Sequence, residues 1–442
     1  MASRILIVSH EAPGASMSGP AIRYWELAHA LAAAHTVTLA APAPVTLASD
    51  HVRLVGYDLA SGDALRACLA ASEVVLVAGY LLRSYPFLLH GPPVVVDLYD
   101  PFILENLEIH ARQPLADQLA LHRIDLAVLN EQLAHGDFFI CASEQQRDFW
   151  LGMLAANGRL NPHTLSADPS LRQLIAVVPF GVPPVGPRRR QAALKGVVPG
   201  IGPDDRVVLW GGGLWDWFDP LTAIRAIAAL APRRPDVRLF FAGVRHPNPA
   251  VPPMRQAAAA QQLSAELGLT GRHVFFNHWM PYAGRADYLL EADIGLSLHY
   301  DHVETRFAFR TRLLDYLWAG LPMVVTRGDS LAQQAEAHGL ARLVEPGDAL
   351  GLAQALEAVL AQGPLTPLDR QQRAETLTQH LHWPRVAAPL VDYCRQPRRA
   401  ADKGAAPAAP RLRAGLVPKA WQSLRARGLT GLLRDIRLYL GR

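Results

Sequence analysis

Short runs of apolar residues, each about the length of a strand, recur along the chain and alternate with stretches whose apolar positions follow helical spacing. Residues 4–9 (RILIVS), 36–40, 52–57, 74–78, 94–98, 138–142 and 177–182 are of the first kind. Residues 21–34 are of the second, with Ile22, Trp25, Leu27, Ala28 and Leu31 along one side. Runs that are apolar throughout, without alternation, suit strands covered on both faces, as in a parallel sheet flanked by helices. The pattern stops at 183–203, PPVGPRRRQAALKGVVPGIGP, whose proline, glycine and basic residues mark a linker. It then restarts with a strand at 206–210, a helix at 221–230 and strands at 239–242, 274–277, 294–298 and 323–326.

The predicted fold class is therefore α/β, with two Rossmann-like, doubly wound domains facing a cleft. Residues 1–185 form the first domain, 186–205 the linker and 206–376 the second domain. Residues 377–394 are expected to carry a helix, at 381–393, back onto the first domain. An Ala/Pro-rich spacer follows at 395–410, and 411–442 reads as a basic amphipathic helix.

Sheets of this kind bind ligands beyond the carboxyl ends of their strands, which directs attention to the residues after each run. The sharpest stretch is 304–326, ETRFAFRTRLLDYLWAGLPMVVT. Arginines lead into a helix with Leu313, Leu314 and Leu317 inside, Gly320 supplies a left-handed stop, and an apolar strand follows. Free N–H groups at the helix start, together with Arg310 and Arg312, are an arrangement for a phosphate. Gly211, Gly212 and Gly213 follow the first strand of the second domain, where backbone can approach a ligand closely. Trp215 and Trp217 beside them have two uses, stacking on sugar or packing a core. Gly19, in Ser18-Gly19-Pro20, either brings backbone to a ligand or starts a helix. In Asp97-Leu98-Tyr99-Asp100, two carboxylates at a strand end either orient a polyhydroxylated ligand or, for Asp100, cap the next helix.

Charge alters the picture at one end only. The chain carries a net +4, but 395–442 holds 12 Lys+Arg and 2 Asp+Glu, leaving the remainder at −6. A mildly acidic body argues against nucleic acid as partner, and the basic tail, with Trp421 among leucines, has the composition of a segment lying on an anionic membrane surface. Docking of that helix on the protein's own surface is the alternative. No run is long enough to span a bilayer and the first residues read as a strand, so the expected location is cytoplasmic, peripheral on the inner membrane face through the tail. Cys68, Cys141 and Cys394 lack ligand spacing and read as buried thiols.

The pieces SHEAPGASMSGPAIRYWELAHAL, VVPFGV, WGGGLWDWFDPLTAIRAI, FFAG, HVFFNHWMP, ADIGLSL and RLLDYLWAGLPMVV resemble the retaining glycosyltransferases of family 4, which have the GT-B fold. The resemblance spans about residues 4–393. It places the second acidic residue of an E-x7-E motif at Asp315 and the family's lysine at Arg312. The motif's first glutamate falls on Phe307, with Glu304 nearest. The family's diphosphate-holding Arg and Lys fall on Gly213 and Phe218, so Arg23, Arg306, Arg310 and Arg312 are candidates to replace them. The family's first-domain histidine has Asp97 or Asp100 nearest.

The resemblance implies transfer of a sugar from a nucleotide-diphosphate sugar, with retention, to an envelope or lipid-linked glycan. The donor is a substrate and no cofactor or metal is required; the aspartates are spaced DxxD rather than DXD. On this reading Asp97, Asp100, Arg310 and Arg312 are catalytic, and Gly19, Gly211, Gly212, Gly213, Trp215, Glu304, Arg306 and Asp315 bind the donor. Two alternatives are a non-catalytic glycan-binding or scaffold module of the same fold and a nucleotide-sugar epimerase.

Overall fold

A computed structural model of the chain describes residues 2–248, 251 and 253–403. The expected tail helix at 411–442 and residues 404–410 of the spacer before it lie outside the described residues. Seven parallel strands build the first sheet: β1 (Arg4–Val8), β2 (Thr36–Pro42), β3 (Val52–Tyr57), β4 (Val74–Ala78), β5 (Val94–Asp97), β6 (Phe138–Cys141) and β7 (Ile175–Val177). Their order is β3-β2-β1-β4-β5-β6-β7. Six more, β8 (Arg206–Gly213), β9 (Val237–Gly243), β10 (Val274–Phe276), β11 (Ile294–Ser297), β12 (Met323–Thr326) and β13 (Ala341–Val344), form a second sheet ordered β10-β9-β8-β11-β12-β13. The continuous apolar runs are buried on both faces, with all of Val74–Ala78 and Met323–Thr326 inside. In each sheet the order reverses beside the first strand of the half, at β1 and at β8, which opens a crevice at the carboxyl ends there. This is the α/β, two-domain architecture that the pattern predicts.

The structure departs from the sequence reading at five places. Residues 211–213 are not a loop: β8 runs through them, with a register shift between Trp210 and Gly213 and Gly212 at a φ of +85°. The bulge bends the strand end while keeping its backbone at the crevice. The strand expected at 177–182 is instead the edge strand Ile175–Val177, which stops short of Pro179. Strand β13 was not foreseen; its ARLV sequence is short and breaks the apolar run with an arginine.

The linker is docked rather than free. The Glu291 carboxylate accepts from the backbone N–H of Leu194 (2.7 Å) and Lys195 (3.0 Å), and the Lys195 ammonium pairs with Asp293 at 2.8 Å. The single closing helix is two helices, Trp383–Val386 and Ala388–Arg395, divided where Pro389 enters the first turn of the second. They do cross back: the Ser3 hydroxyl donates to the Cys394 carbonyl at 2.7 Å and the Tyr393 ring stacks on Phe138 with centroids 4.4 Å apart. All three cysteines are buried and free.

Candidate active site

The helix Thr311–Trp318 forms because Leu313, Leu314 and Leu317 fall on one inward face, and it ends at Gly320, whose φ of +57° is left-handed. No side chain caps its first turn. That turn opens on a cavity of about 530 Å³ between the two sheets. The first domain contributes Glu11, Ser18, Gly19, Tyr99, Asp100 and Glu105 to its walls, and the second contributes Gly211 to Gly213, Trp215, Trp279, Arg310, Arg312 and Asp315. A larger cavity of about 1070 Å³ lies beside the linker. In it Arg189 pairs with Glu291 and both Lys195 and Arg206 pair with Asp293, and it lies away from the strands' carboxyl ends. The interdomain cavity is the better candidate.

Two arginines give it its electrostatic character. Arg312, 8 % exposed, donates from Nη2 to the Gly213 carbonyl at 2.9 Å and holds its guanidinium 4.1 Å from the Phe218 ring. Its Nη1 is buried without a partner. Burial, with Arg310 beside it, pushes its pKa down to about 10, so it is still a cation at neutral pH. Arg310 pairs with Glu304 through Nη2 at 2.5 Å while its Nε has no partner. Buried donors without acceptors are costly, and two of them beside an uncapped helix start make a place for an anion.

On the opposite wall, Asp100 and Glu105 share a hydrogen bond. Burial, reinforced by neighbouring carboxylates, raises both above the ordinary carboxyl range, Asp100 to about 6. The pair thus retains a proton into weakly acidic solution and presents both a donor and acceptors to the cleft.

Of the residues singled out from sequence, Gly19, Gly211, Gly212, Gly213, Trp215, Asp100, Arg310, Arg312 and Asp315 all line this cavity. Three do not. Asp97 is buried beneath it in an ion pair with Arg23, which removes it from contact with a ligand. Arg23 is spent on the same pair. Glu304 is 2 % exposed and sits behind Arg310, fixing that arginine. Arg306 is exposed away from the cavity, with its guanidinium 5.9 Å from the Phe307 ring. Trp217 lines the cavity as well, while packing in the core of the second domain with its ring parallel to Trp215 at 5.5 Å.

Glu105, Trp279, Tyr282 and Arg285 were missed. They lie in helical or irregular segments with no local pattern of their own, and only packing brings them to the cleft. Among the described residues, no group of three or more His, Cys, Asp or Glu is placed to hold a metal ion, and no helix is long and apolar enough to cross a membrane.

Comparison with known proteins bears on the fold. Residues 205–362 match the family described as Glycosyl transferases group 1, which covers the whole second sheet and the Arg310–Arg312 helix. Solved structures with the same fold include sucrose-phosphate synthase from Thermosynechococcus elongatus, with 18 % identity over 89 % of this chain and 98 % of that one at a TM-score of 0.61. HepE from Anabaena, solved with UDP and glucose, has 14 % identity over 89 % and 100 % of the two chains at a TM-score of 0.59. WaaG, a glycosyltransferase involved in lipopolysaccharide biosynthesis, has 17 % identity over 88 % and 99 % at a TM-score of 0.56. These likenesses establish the GT-B fold. No curated protein sequence matches the chain.

Proposed function

We propose that this protein is a glycosyltransferase that takes a sugar from a nucleotide-diphosphate sugar bound in the interdomain cleft. The observation that carries the reading is the pair of buried, partly unsatisfied arginines, Arg310 and Arg312, at an uncapped helix start within the matched group 1 segment. Breaking the anomeric C–O bond leaves negative charge on the departing diphosphate, and preorganised cations and N–H groups are what that transition state requires. The neighbour solved with UDP and glucose supports a nucleotide-sugar donor.

In this reading Arg312 and Arg310 hold the diphosphate, with Gly211 to Gly213 allowing its close approach. Asp315 accepts from sugar or ribose hydroxyls. Asp100 and Glu105, on the first-domain wall, face the acceptor. Transfer proceeds with retention and needs no metal or organic cofactor, since the arginines supply the charge. The acceptor is an envelope or lipid-linked glycan, reached at the cytoplasmic membrane face by the basic tail; the tail's composition is the support for this part.

The test is to incubate the purified full chain with a panel of UDP-, GDP- and dTDP-sugars and measure nucleotide diphosphate release, wild type beside Arg312→Ala. Release from one donor, lost in the variant, supports the reading. Neither release nor binding with any donor overturns it in favour of a non-catalytic module of the same fold.

A further inference from the structure

Asp315 reaches more than the cleft. Its side chain is about one-third open, at 34 %, and its Oδ1 accepts from Arg285 Nε at 3.1 Å. Arg285 is almost buried, donates from Nη1 to the Tyr282 carbonyl at 3.0 Å, and lies 3.8 Å from the centre of the Tyr282 ring. Tyr282 in turn is fastened to the other domain twice. Its hydroxyl donates to Glu26 Oε1 at 2.7 Å, on the helix Gly19–Ala32, and its backbone N–H donates to the Ala15 carbonyl at 3.0 Å, in the loop after β1. The same loop receives the Trp279 indole N–H at the Met17 carbonyl, 3.2 Å, and its Glu11 carboxylate lies 3.7 Å from His246. Glu11, Met17, Ser18 and Gly19 line the cavity that this loop helps to close.

We infer that Arg285 and Tyr282 are positioning residues that relay occupancy of Asp315 to the first domain, seating the loop 11–18 over the cleft when a donor is bound. The inference rests on the donor reading above. A hydroxyl held by Asp315 fixes that carboxylate. A fixed carboxylate holds the Arg285 fork in one orientation, and Arg285 grips Tyr282 through its carbonyl and its ring face. Tyr282 then presents its hydroxyl and N–H to Glu26 and Ala15 in the geometry that joins the domains. By linkage, a contact that strengthens when ligand binds must also strengthen the binding of that ligand. Burial pushes the Tyr282 phenol up, so it remains a hydrogen-bond donor throughout the physiological range.

The test compares full-length wild type with Tyr282→Phe, Glu26→Gln and Arg285→Lys. Amide hydrogen exchange over 11–30 and over 206–220 is followed with and without a saturating sugar nucleotide from the UDP, GDP and dTDP panel. Tyr282→Phe keeps the ring stack and removes one hydroxyl, so it isolates the latch from folding. The relay predicts that donor slows exchange over 11–30 in wild type and that each variant loses at least about fivefold of that slowing. Slowing over 206–220 is retained in Tyr282→Phe. Equal slowing over 11–30 in wild type and variants overturns the relay and leaves the donor reading standing. Absence of slowing in both segments overturns both together.

Discussion

Arg23 and Asp97 form a two-pronged ion pair inside the first domain, Nη2 to Oδ1 at 3.0 Å and Nε to Oδ2 closer still, with Arg23 Nη2 also donating to the Val178 carbonyl at 2.8 Å. Neither side chain reaches solvent. The pair ties the end of β5 to the helix Gly19–Ala32 and to the segment after β7, so it sets the height of the cavity's first-domain wall. Asp97→Ala leaves an unpaired buried guanidinium and should destabilise the protein by roughly 3–5 kcal/mol. Urea unfolding of the variant measures this; a loss below about 1 kcal/mol would mean that Arg23 finds another partner.

On the proposed reading, Arg312 is the residue on which donor binding turns. Its replacement by alanine should lower kcat/KM for the donor by about 100-fold or more, the scale of losing a preorganised charge in the transition state. Arg312→Lys keeps the charge but not the planar fork, and should fall between the two. Steady-state kinetics of nucleotide diphosphate release decide this, with circular dichroism to confirm that the variants fold.

Gly320 is fixed by two independent constraints. Its φ of +57° is left-handed, and a Cβ there would lie 1.9 Å from the Arg370 carbonyl oxygen. Gly320→Ala should therefore cost more than the roughly 1–2 kcal/mol of the backbone conformation alone. Because the helix Thr311–Trp318 ends at this residue, displacement there moves Arg312 as well. Thermal unfolding and donor kinetics should both worsen; a variant as stable as wild type would show that the Arg370 segment yields freely.

His299, buried behind the arginines, has its pKa lowered to about 3 by burial and by Arg310. In the unfolded chain it titrates near its ordinary 6.5. Between those values the unfolded state binds a proton that the folded state does not, so this contribution to stability is complete above about 6.5 and is lost as pH falls towards 3. Its slope is at most about 1.4 kcal/mol per pH unit. The raised carboxyls Asp100 and Glu105 act in the opposite sense in the same range, because they keep protons that the unfolded chain releases. The difference between wild type and His299→Asn, measured by urea unfolding from pH 7 to pH 4.5, isolates the histidine. Wild type should lose more stability over that range than the variant, and parallel curves would contradict the assignment.

Much of this was legible along the chain, for a physical reason. A strand buried on both faces must be apolar throughout, so the runs at 4–9, 74–78 and 323–326 declared a parallel sheet without any knowledge of their neighbours. A helix start with arginines and a left-handed glycine stop are local arrangements as well, and Arg310, Arg312 and Gly320 are found where that pattern predicts. What sequence could not separate is residues of the same type at the same kind of position. Asp97 and Asp100 are three apart at one strand end, yet one is locked to Arg23 and the other opens on the cleft. Glu304 and Arg306 lie in the same short helix, Val303–Phe307, and burial places one behind Arg310 and leaves the other in solvent.

These choices depend on contacts between residues far apart in sequence. Arg23 meets Asp97 only after β1 and β5 join one sheet, and Tyr282 meets Glu26 only after the second domain docks on the first. Periodicity and composition report what each segment must bury. Which charge then finds a partner, and which is left facing the cleft, is decided when the segments pack, because an ion pair's energy depends on distance and burial rather than on position along the chain.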